Sequence, residues 1–443
     1  MKNINWAKFP FDPNKWPFFY GWLILLWGTM GIIMSIPGQT IGVSVFTDPL
    51  IDSLKITRDE LSFAYMIGTI SSSFMLPWAG RKYDQYGARP VAITAAFGLS
   101  FILFILSKID FVIFNVLKTN AAWVKVIIMI SAFLLLRFFG QGVLTMTSRN
   151  MMMQWFDKRR GFATGFSNVI VALTFSGSPV FLDHLINIYD WKGAWVMLSL
   201  IAGGIFTVFV LTFFRNKPED TGLKPDGTIN SKKKKKRTPF PVIREYTLGE
   251  VRKNYAFWVI ALMLAMQGLY ITGFTFHVIS IFEHSGLSEI DAITIFQPTA
   301  VIAVVVTLLT SSLSDYIQLK YLLYVKGVGA CLGIIGVIFL GRWDVANELI
   351  IVGHGIMGGL FAVLTSVTWP RYFGRKNLGA VSGQATMMIV FGSALGPLLF
   401  SSSLSQIGSY THAAWLCFLI FFILTIASVR ANNPQIKSHH QQT

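Results

Sequence analysis

Apolar stretches recur along this chain, each near the ~20 residues that an α-helix needs to cross ~30 Å of hydrocarbon, and that recurrence limits the fold more than any other feature. They lie at about 19–46, 59–79, 90–107, 122–153, 162–187, 192–214, 255–282, 290–313, 321–341, 346–370, 379–405 and 412–429. In lipid every backbone N–H and C=O must find its partner within the protein, so stretches of this length are helices. A membrane barrel would instead show alternating segments of ~10 residues, and none appear. The expected fold class is an all-α membrane protein with twelve transmembrane helices. Composition agrees: 53% of the 443 residues are hydrophobic and 13% are charged, against roughly 25% charged in a soluble domain.

A net charge of +16 invites a nucleic-acid partner, but its distribution argues against one. If the N-terminus is cytoplasmic, the loops and termini on that side carry about 27 of the 37 Lys and Arg, and the opposite loops about 7. This is the positive-inside asymmetry, and it places both termini in the cytoplasm. The expected location is the plasma membrane, or the inner membrane if the source is bacterial, with multiple passes. Residues 1–18 have no cleavable signal pattern; Trp6, Phe9, Phe11 and Trp16 suit an interfacial segment ahead of the first span.

Only one long polar segment interrupts the spans. It covers 215–254 and contains the run Lys232 to Arg237. It reads as a solvated basic linker, with attraction to anionic headgroups as the sharper alternative. The chain then divides into a segment 1–18, a six-helix bundle 19–214, the linker 215–254, a second six-helix bundle 255–430 and a tail 431–443.

The two bundles repeat each other. Thr57-Arg58-Asp59-Glu60 opens span 2 as a capping box, in which hydroxyl and carboxylate satisfy free N–H groups of the first turn. Ser288-Glu289-Ile290-Asp291 opens span 8 at the matching place, and the same offset relates Asp84 to Asp315 after the two spans. Independently, Gly161, Gly165 and Pro179 in span 5 have the mutual spacing of Gly379, Gly383 and Pro397 in span 11. Each set follows a basic, aromatic turn. The expectation is two pseudo-symmetric six-helix bundles with a solute site between repeats, operated by alternating access.

The turn between spans 2 and 3, Gly80-Arg81-Lys82-Tyr83-Asp84-Gln85-Tyr86-Gly87-Ala88-Arg89, resembles the signature loop of the major facilitator superfamily at Gly80, Asp84, Gly87 and Arg89. A degenerate second copy surrounds Asp315, and Arg137-Phe138-Phe139-Gly140-Gln141-Gly142 in span 4 looks like the family's arginine-glycine motif. The resemblance covers the whole chain. It implies that Asp84 faces the start of span 11 near Gly379, with Arg81 or Arg89 beside it, as a latch that opens and closes. Helix N-termini favour such a carboxylate. Gly80, Arg81, Asp84, Gly87, Arg89 and Asp315 are thus the gating candidates.

Within the superfamily, Phe19-Tyr20-Gly21-Trp22, Gly42-Val43-Ser44-Val45-Phe46 and Trp155-Phe156-Asp157-Lys158-Arg159-Arg160-Gly161 are similar to the monocarboxylate and oxalate–formate transporter branch. That branch commonly carries a base in span 8, whereas 290–313 has no Lys or Arg.

A charge within a span costs at least ~2.5–3.5 kcal/mol, so it normally faces a cavity or a partner. Arg137, near the middle of span 4, is the leading candidate for an anionic substrate group. The other substrate-binding candidates are Gln39 beside Pro37-Gly38, Tyr65, Gln141, Asn168, Gln267, Tyr270, Gln297, Gln384 and two histidines, His277 and His354. Either histidine suits a coupling proton, since imidazole titrates near neutrality. Lys326, near the end of span 9, reads as an interfacial anchor.

The expected function is a secondary active transporter for a small organic solute, most simply a carboxylate-bearing metabolite. The alternative is an exporter of amphipathic compounds on the same fold. A monomer in the bilayer is expected, with a small-molecule substrate and a coupling proton or counter-solute as partners, and no nucleic acid. No enzymatic constellation, cofactor motif or metal site is visible; Cys331 and Cys417 both lie in apolar spans.

Overall fold

The computed structural model describes residues 7–227 and 240–436. The lysine run and the residues beyond 436 therefore lie outside the described residues. Within them the chain is all-helical, with no strand. Among the described residues nine helical stretches are long and apolar enough to cross a bilayer. One of them, Arg160–Phe213, holds two spans, because Asp190 breaks it with φ 62° and ψ 161°. Two more spans are less apparent: Arg58–Tyr86 because serines, a threonine and a glycine lower its interior hydropathy, and the first span because it is broken.

The twelve spans are α1 (Gly21–Ile33, continued by a 3-10 turn Ile36–Gly38 and a short helix Thr40–Ser44), α2 (Arg58–Tyr86), α3 (Ala88–Leu106) and α4 (Ala122–Trp155). The segments of Arg160–Phe213 before and after Asp190 are α5 and α6. The second set is α7 (Tyr255–His284), α8 (Glu289–Ser314), α9 (Leu319–Ile338), α10 (Ala346–Phe373), α11 (Leu378–Ile407) and α12 (Thr411–Ser428).

The local chemistry that starts and stops these helices is the expected one. Thr57 Oγ1 accepts the Glu60 N–H at 3.2 Å while the Glu60 carboxylate accepts the Thr57 N–H at 2.8 Å. Ser288 and Asp291 repeat the box at 3.2 and 2.9 Å. Between α2 and α3 the chain turns on Gly87 at φ +85°, a left-handed conformation that a side chain disfavours. Gly374 at φ +89° turns the chain between α10 and α11.

Large apolar residues on the outside mark the lipid face. On α3, Phe97, Phe101 and Phe104 are each at least half exposed and fall on one side at helical spacing, a surface that water would not tolerate on three neighbouring turns. The inward sides are built by close helix approach. A Cβ on Gly353 of α10 would meet the Gly333 nitrogen of α9 at 2.2 Å, so these two helices pack backbone against backbone.

The described chain forms two compact units. One holds the chain up to Asp157, the part from Ile170 to the linker, and Ser382–Thr386 of α11. The other holds Lys158–Val169, the start of α5, with the chain from the linker to Val381 and from Met387 onward. Each unit thus includes a short piece of helix from the other sequence half.

Candidate functional site

In the first unit the polar interior is organised by the break in α1. Pro37 and Gly38 end the first helical piece, and Gln39 is extended at ψ 160°. The break is pressed against α4: a Cβ on Gly38 would meet the Leu136 carbonyl at 2.7 Å and Gly140 Cα at 2.8 Å. At the same level α4 widens into a π-helical stretch, Arg137–Leu144. Such bulges loosen the regular hydrogen-bond ladder and frequently sit at functional sites.

Arg137 is 1% exposed. Its Nη1 donates to the Gly38 carbonyl at 3.2 Å and to Thr40 Oγ1 at 3.3 Å, and the guanidinium lies 5.1 Å from the centre of the Tyr65 ring. Tyr65 in turn donates its hydroxyl to Thr40 Oγ1 at 2.9 Å. No carboxylate pairs with Arg137 among the described residues, and its Nε is buried with no hydrogen-bond partner. Gln141 Oε1, one turn on, is likewise buried and unpartnered. A buried guanidinium in this condition is costly unless an anion completes it.

A second polar strip adjoins it. Gln39 Nε2 donates to Ser35 Oγ at 2.9 Å and to Thr145 Oγ1 at 3.2 Å, and Thr145 donates to Ser35 at 2.9 Å. Gln39, Tyr65, Arg137 and Gln141 therefore lie close together around the break in α1. Gln384 is buried and belongs to the same unit, near Asn150, whose side-chain amide donates to Ser382 Oγ at 2.7 Å.

The second unit has its own polar cluster. The Tyr270 hydroxyl and His354 Nε2 lie 2.9 Å apart, and the His354 ring packs edge-on to Phe274 and Tyr270 at 4.8 and 5.4 Å between centres. Gln267, one turn below Tyr270 on α7, accepts a hydrogen bond from Lys326. This corrects the reading of Lys326 as an interfacial anchor: its side chain has no exposure and points inward. Gly327, Gly329 and Gly333 beside it bring neighbouring helices too close for that lysine to face lipid. Lys326 is thus a buried charge among the spans, as Arg137 is.

His277 stands apart from this cluster. Its Nε2 donates to the Pro397 carbonyl at 3.1 Å, and Nδ1 lies 3.5 Å from the Tyr410 hydroxyl. Asn168 is half-buried with its Nδ2 unpartnered, and Gln297 is exposed on α8.

Among the gating residues, Asp315 has a defined set of partners. Asp315 Oδ1, just past α8, accepts the backbone N–H of Gly161 in the first turn of α5 at 2.9 Å and pairs with Arg371 Nη2 at 3.3 Å. Arg371 also donates to the Ser314 carbonyl. The approach needs glycine: a Cβ on Gly161 would meet the Ser311 carbonyl at 1.8 Å. Burial pushes the Asp315 carboxyl up to about 6, against the opposing effects of the Gly161 N–H and Arg371. Arg371 was not foreseen, although it directly precedes the aromatic turn Tyr372-Phe373. Arg89 donates through Nε to the Phe214 carbonyl and through Nη2 to that of Phe9, both at 2.9 Å, tying α3 to the end of α6 and the N-terminal segment. Arg81 is exposed. Among the described residues no group of three or more His, Cys, Asp or Glu side chains is placed to hold a metal ion.

Comparison with known proteins agrees with this architecture. The chain matches the sequence profile of the Major Facilitator Superfamily over residues 28–353. No curated protein sequence matches it. Among solved structures it is similar to the proton:xylose symporter XylE bound to 6-bromo-6-deoxy-D-glucose, at 16% identity and a TM-score of 0.67 over 92% of this chain and 94% of that one. It is similar to a bacterial homologue of the iron transporter ferroportin in the outward-facing state, at 12% identity and 0.65 over 92% and 99%. A third likeness is to the human organic anion transporter MFSD10, at 12% identity and 0.60 over 93% and 99%. At these identities the likeness speaks to fold. With the profile spanning well over half of the sequence, the chain belongs to the major facilitator superfamily: it is a multi-pass membrane transporter and not an enzyme.

Proposed function

We propose that the chain is a secondary active transporter for a small carboxylate-bearing organic solute, working by alternating access as a monomer in the plasma membrane with both termini cytoplasmic. The observation that supports the substrate class is Arg137. It is a buried guanidinium with no carboxylate partner and a buried, unpartnered Nε, beside the break in α1 and the π-helical stretch of α4. A carboxylate would complete its hydrogen bonding and its charge together. Gln141, with a buried unpartnered oxygen one turn away, suits a hydroxyl or amide on the same solute. The similarity of the turns at Phe19 and Trp155 to the monocarboxylate and oxalate–formate branch points the same way.

For gating we propose that Asp84 uses the start of α11 near Gly379 as Asp315 uses Gly161 at the start of α5. The internal repeat relates the two acids and the two glycines. Broken and remade, such contacts alternate access from either side.

Uptake of radiolabelled monocarboxylates and dicarboxylates into proteoliposomes tests the substrate class. A signal with at least one acid that disappears in Arg137→Gln is expected. Silence across the panel, with dye efflux restored to cells expressing the chain, would replace this reading with the export of amphipathic compounds.

A further inference from the structure

Lys326 is a buried cation with no counter-charge among the described residues. Lys326 on α9 donates to Gln267 Oε1 on α7 and to the Met357 carbonyl on α10 at 3.3 Å, with the Phe361 ring centre 5.6 Å away. No carboxylate pairs with it among the described residues. A cation held only for structure in a bilayer is normally matched by an acid or reaches the interface. Lys326 does neither.

The partners suit two protonation states. An ammonium has three N–H donors and a neutral amine two. Two carbonyl-type oxygens match the two hydrogens of the amine, and the face of Phe361 receives the additional positive charge of the ammonium. Neither state strands a buried acceptor. Arginine cannot serve in this way, because it keeps its proton, whereas lysine exchanges one when taken out of water.

Packing does not demand a lysine here. The repeat that pairs Asp84 with Asp315 pairs Lys326 with Ala95, which is buried on α3 with no exposure. The fold therefore builds this position with a methyl group in one half and an amine in the other.

The titratable groups nearest in level are Tyr270 on α7 and His354 on α10, each one turn from a Lys326 partner. Tyr255, His277, Glu283 and His284 on α7, and Glu348, Arg371 and Tyr372 on α10, lie more than two turns along their helices from Gln267 and Met357. On α12 the titratable groups are Cys417 and His412, on α9 itself Lys320, Tyr321, Tyr324 and Cys331, and α8 has none within 296–314.

We propose that Lys326 is the group that takes up and releases the coupling proton of this transporter. Its two acceptors come from two different helices, so displacement of α7 or α10 against α9 removes one acceptor and admits water, to which the ammonium passes a proton. No other bond changes. The return motion restores the dry site after the amine has been reprotonated from the opposite side.

The coupling rests on the transporter reading, but its first test does not. Purified full-length protein is titrated potentiometrically from mildly acid to mildly alkaline pH. Wild type is expected to release one proton more than Lys326→Met and one more than Lys326→Arg; the arginine variant keeps the charge and guards against misfolding of the first. Equal proton counts overturn the proposal. So does a difference that vanishes in a His354→Gln background, which assigns the proton to the imidazole. With an acid from the uptake panel as the probe, Lys326→Met is expected to lose stimulation by an inward proton gradient while retaining solute exchange. Gradient-driven uptake at the wild-type rate in that variant overturns the coupling. A silent panel counts against the solute reading alone and leaves the titration to decide the proton site.

Discussion

Asp315 and Gly161 are joined by a hydrogen bond of 2.9 Å from the first turn of α5 to a carboxylate that also faces Arg371. The contact uses three chemical features at once: a free N–H at a helix start, a glycine that allows Ser311 to approach, and a cation that offsets a buried negative charge. The repeat marks Asp315 as the degenerate copy of Asp84, and it makes this contact even though the surrounding motif is degenerate.

The pH dependence of this contact has a definite sign. Burial raises the Asp315 carboxyl from 3.8 to about 6, so between these values the folded protein binds more protons at this site than the unfolded chain. Its contribution to stability is complete below about pH 4 and is lost as pH rises to about 6, by about 3 kcal/mol at most. Differential scanning fluorimetry in detergent is expected to show a melting temperature that falls across this window in wild type and falls less in Asp315→Asn. Parallel curves for the two proteins count against a raised Asp315.

Much of the architecture was legible because it is written in local chemistry. The capping boxes at Thr57 and Ser288, the turn glycine Gly87 and the paired glycines at 161 and 379 each carry their reason in a few adjacent residues. Orientation was not legible. Helix faces toward lipid and toward the protein are both apolar here, so periodicity cannot tell which way a lone polar side chain points. Lys326 was misread for this reason, and only its small neighbours Gly327, Gly329 and Gly333 hinted at an inward course. The π-helical stretch beginning at Arg137 has no compositional marker beyond Gly140 and Gly142. Arg371 was passed over because it stands at a helix end, where basic residues are expected on positive-inside grounds.

Arg137→Lys is expected to fail almost as badly as Arg137→Gln. Lysine keeps the charge but not the planar fork that spans the Gly38 carbonyl and Thr40 while leaving Nε free. A charged hydrogen bond is worth about 1.5–3 kcal/mol, so the half-saturation concentration for the transported acid should rise about tenfold to a hundredfold. Initial-rate uptake against substrate concentration reads this directly, and a lysine variant with wild-type affinity would remove the bidentate role.

Glycine substitutions separate close packing from mere flexibility. Gly161→Ala places a methyl group 1.8 Å from the Ser311 carbonyl and must push α5 away from α8, whereas Gly177 on the same helix has nothing within 4 Å of an added Cβ. The first change is expected to abolish transport or lower the melting temperature by several degrees. Gly177→Ala should be neutral or slightly stabilising, since alanine gains about 0.5–1 kcal/mol over glycine in a helix. Equal effects from both variants would show that the small residues matter only for backbone freedom.

The latch assigned to Asp84 is tested by its asymmetry with Asp315. If Asp84 closes one side by facing the start of α11, Asp84→Asn weakens that closure without touching Arg137 or Lys326. Solute affinity at equilibrium should then stay within about twofold, a change of under 0.5 kcal/mol, while the turnover rate falls. Asp315→Asn should slow the cycle less, because Asp315 already bears a raised carboxyl that is partly protonated near pH 6 and gives up less charge on substitution. Parallel measurement of binding by calorimetry and of flux in proteoliposomes distinguishes a gate from a fold element. Unchanged flux in Asp84→Asn at wild-type expression refutes the latch, and a matched loss of binding and flux would make Asp84 a folding residue instead.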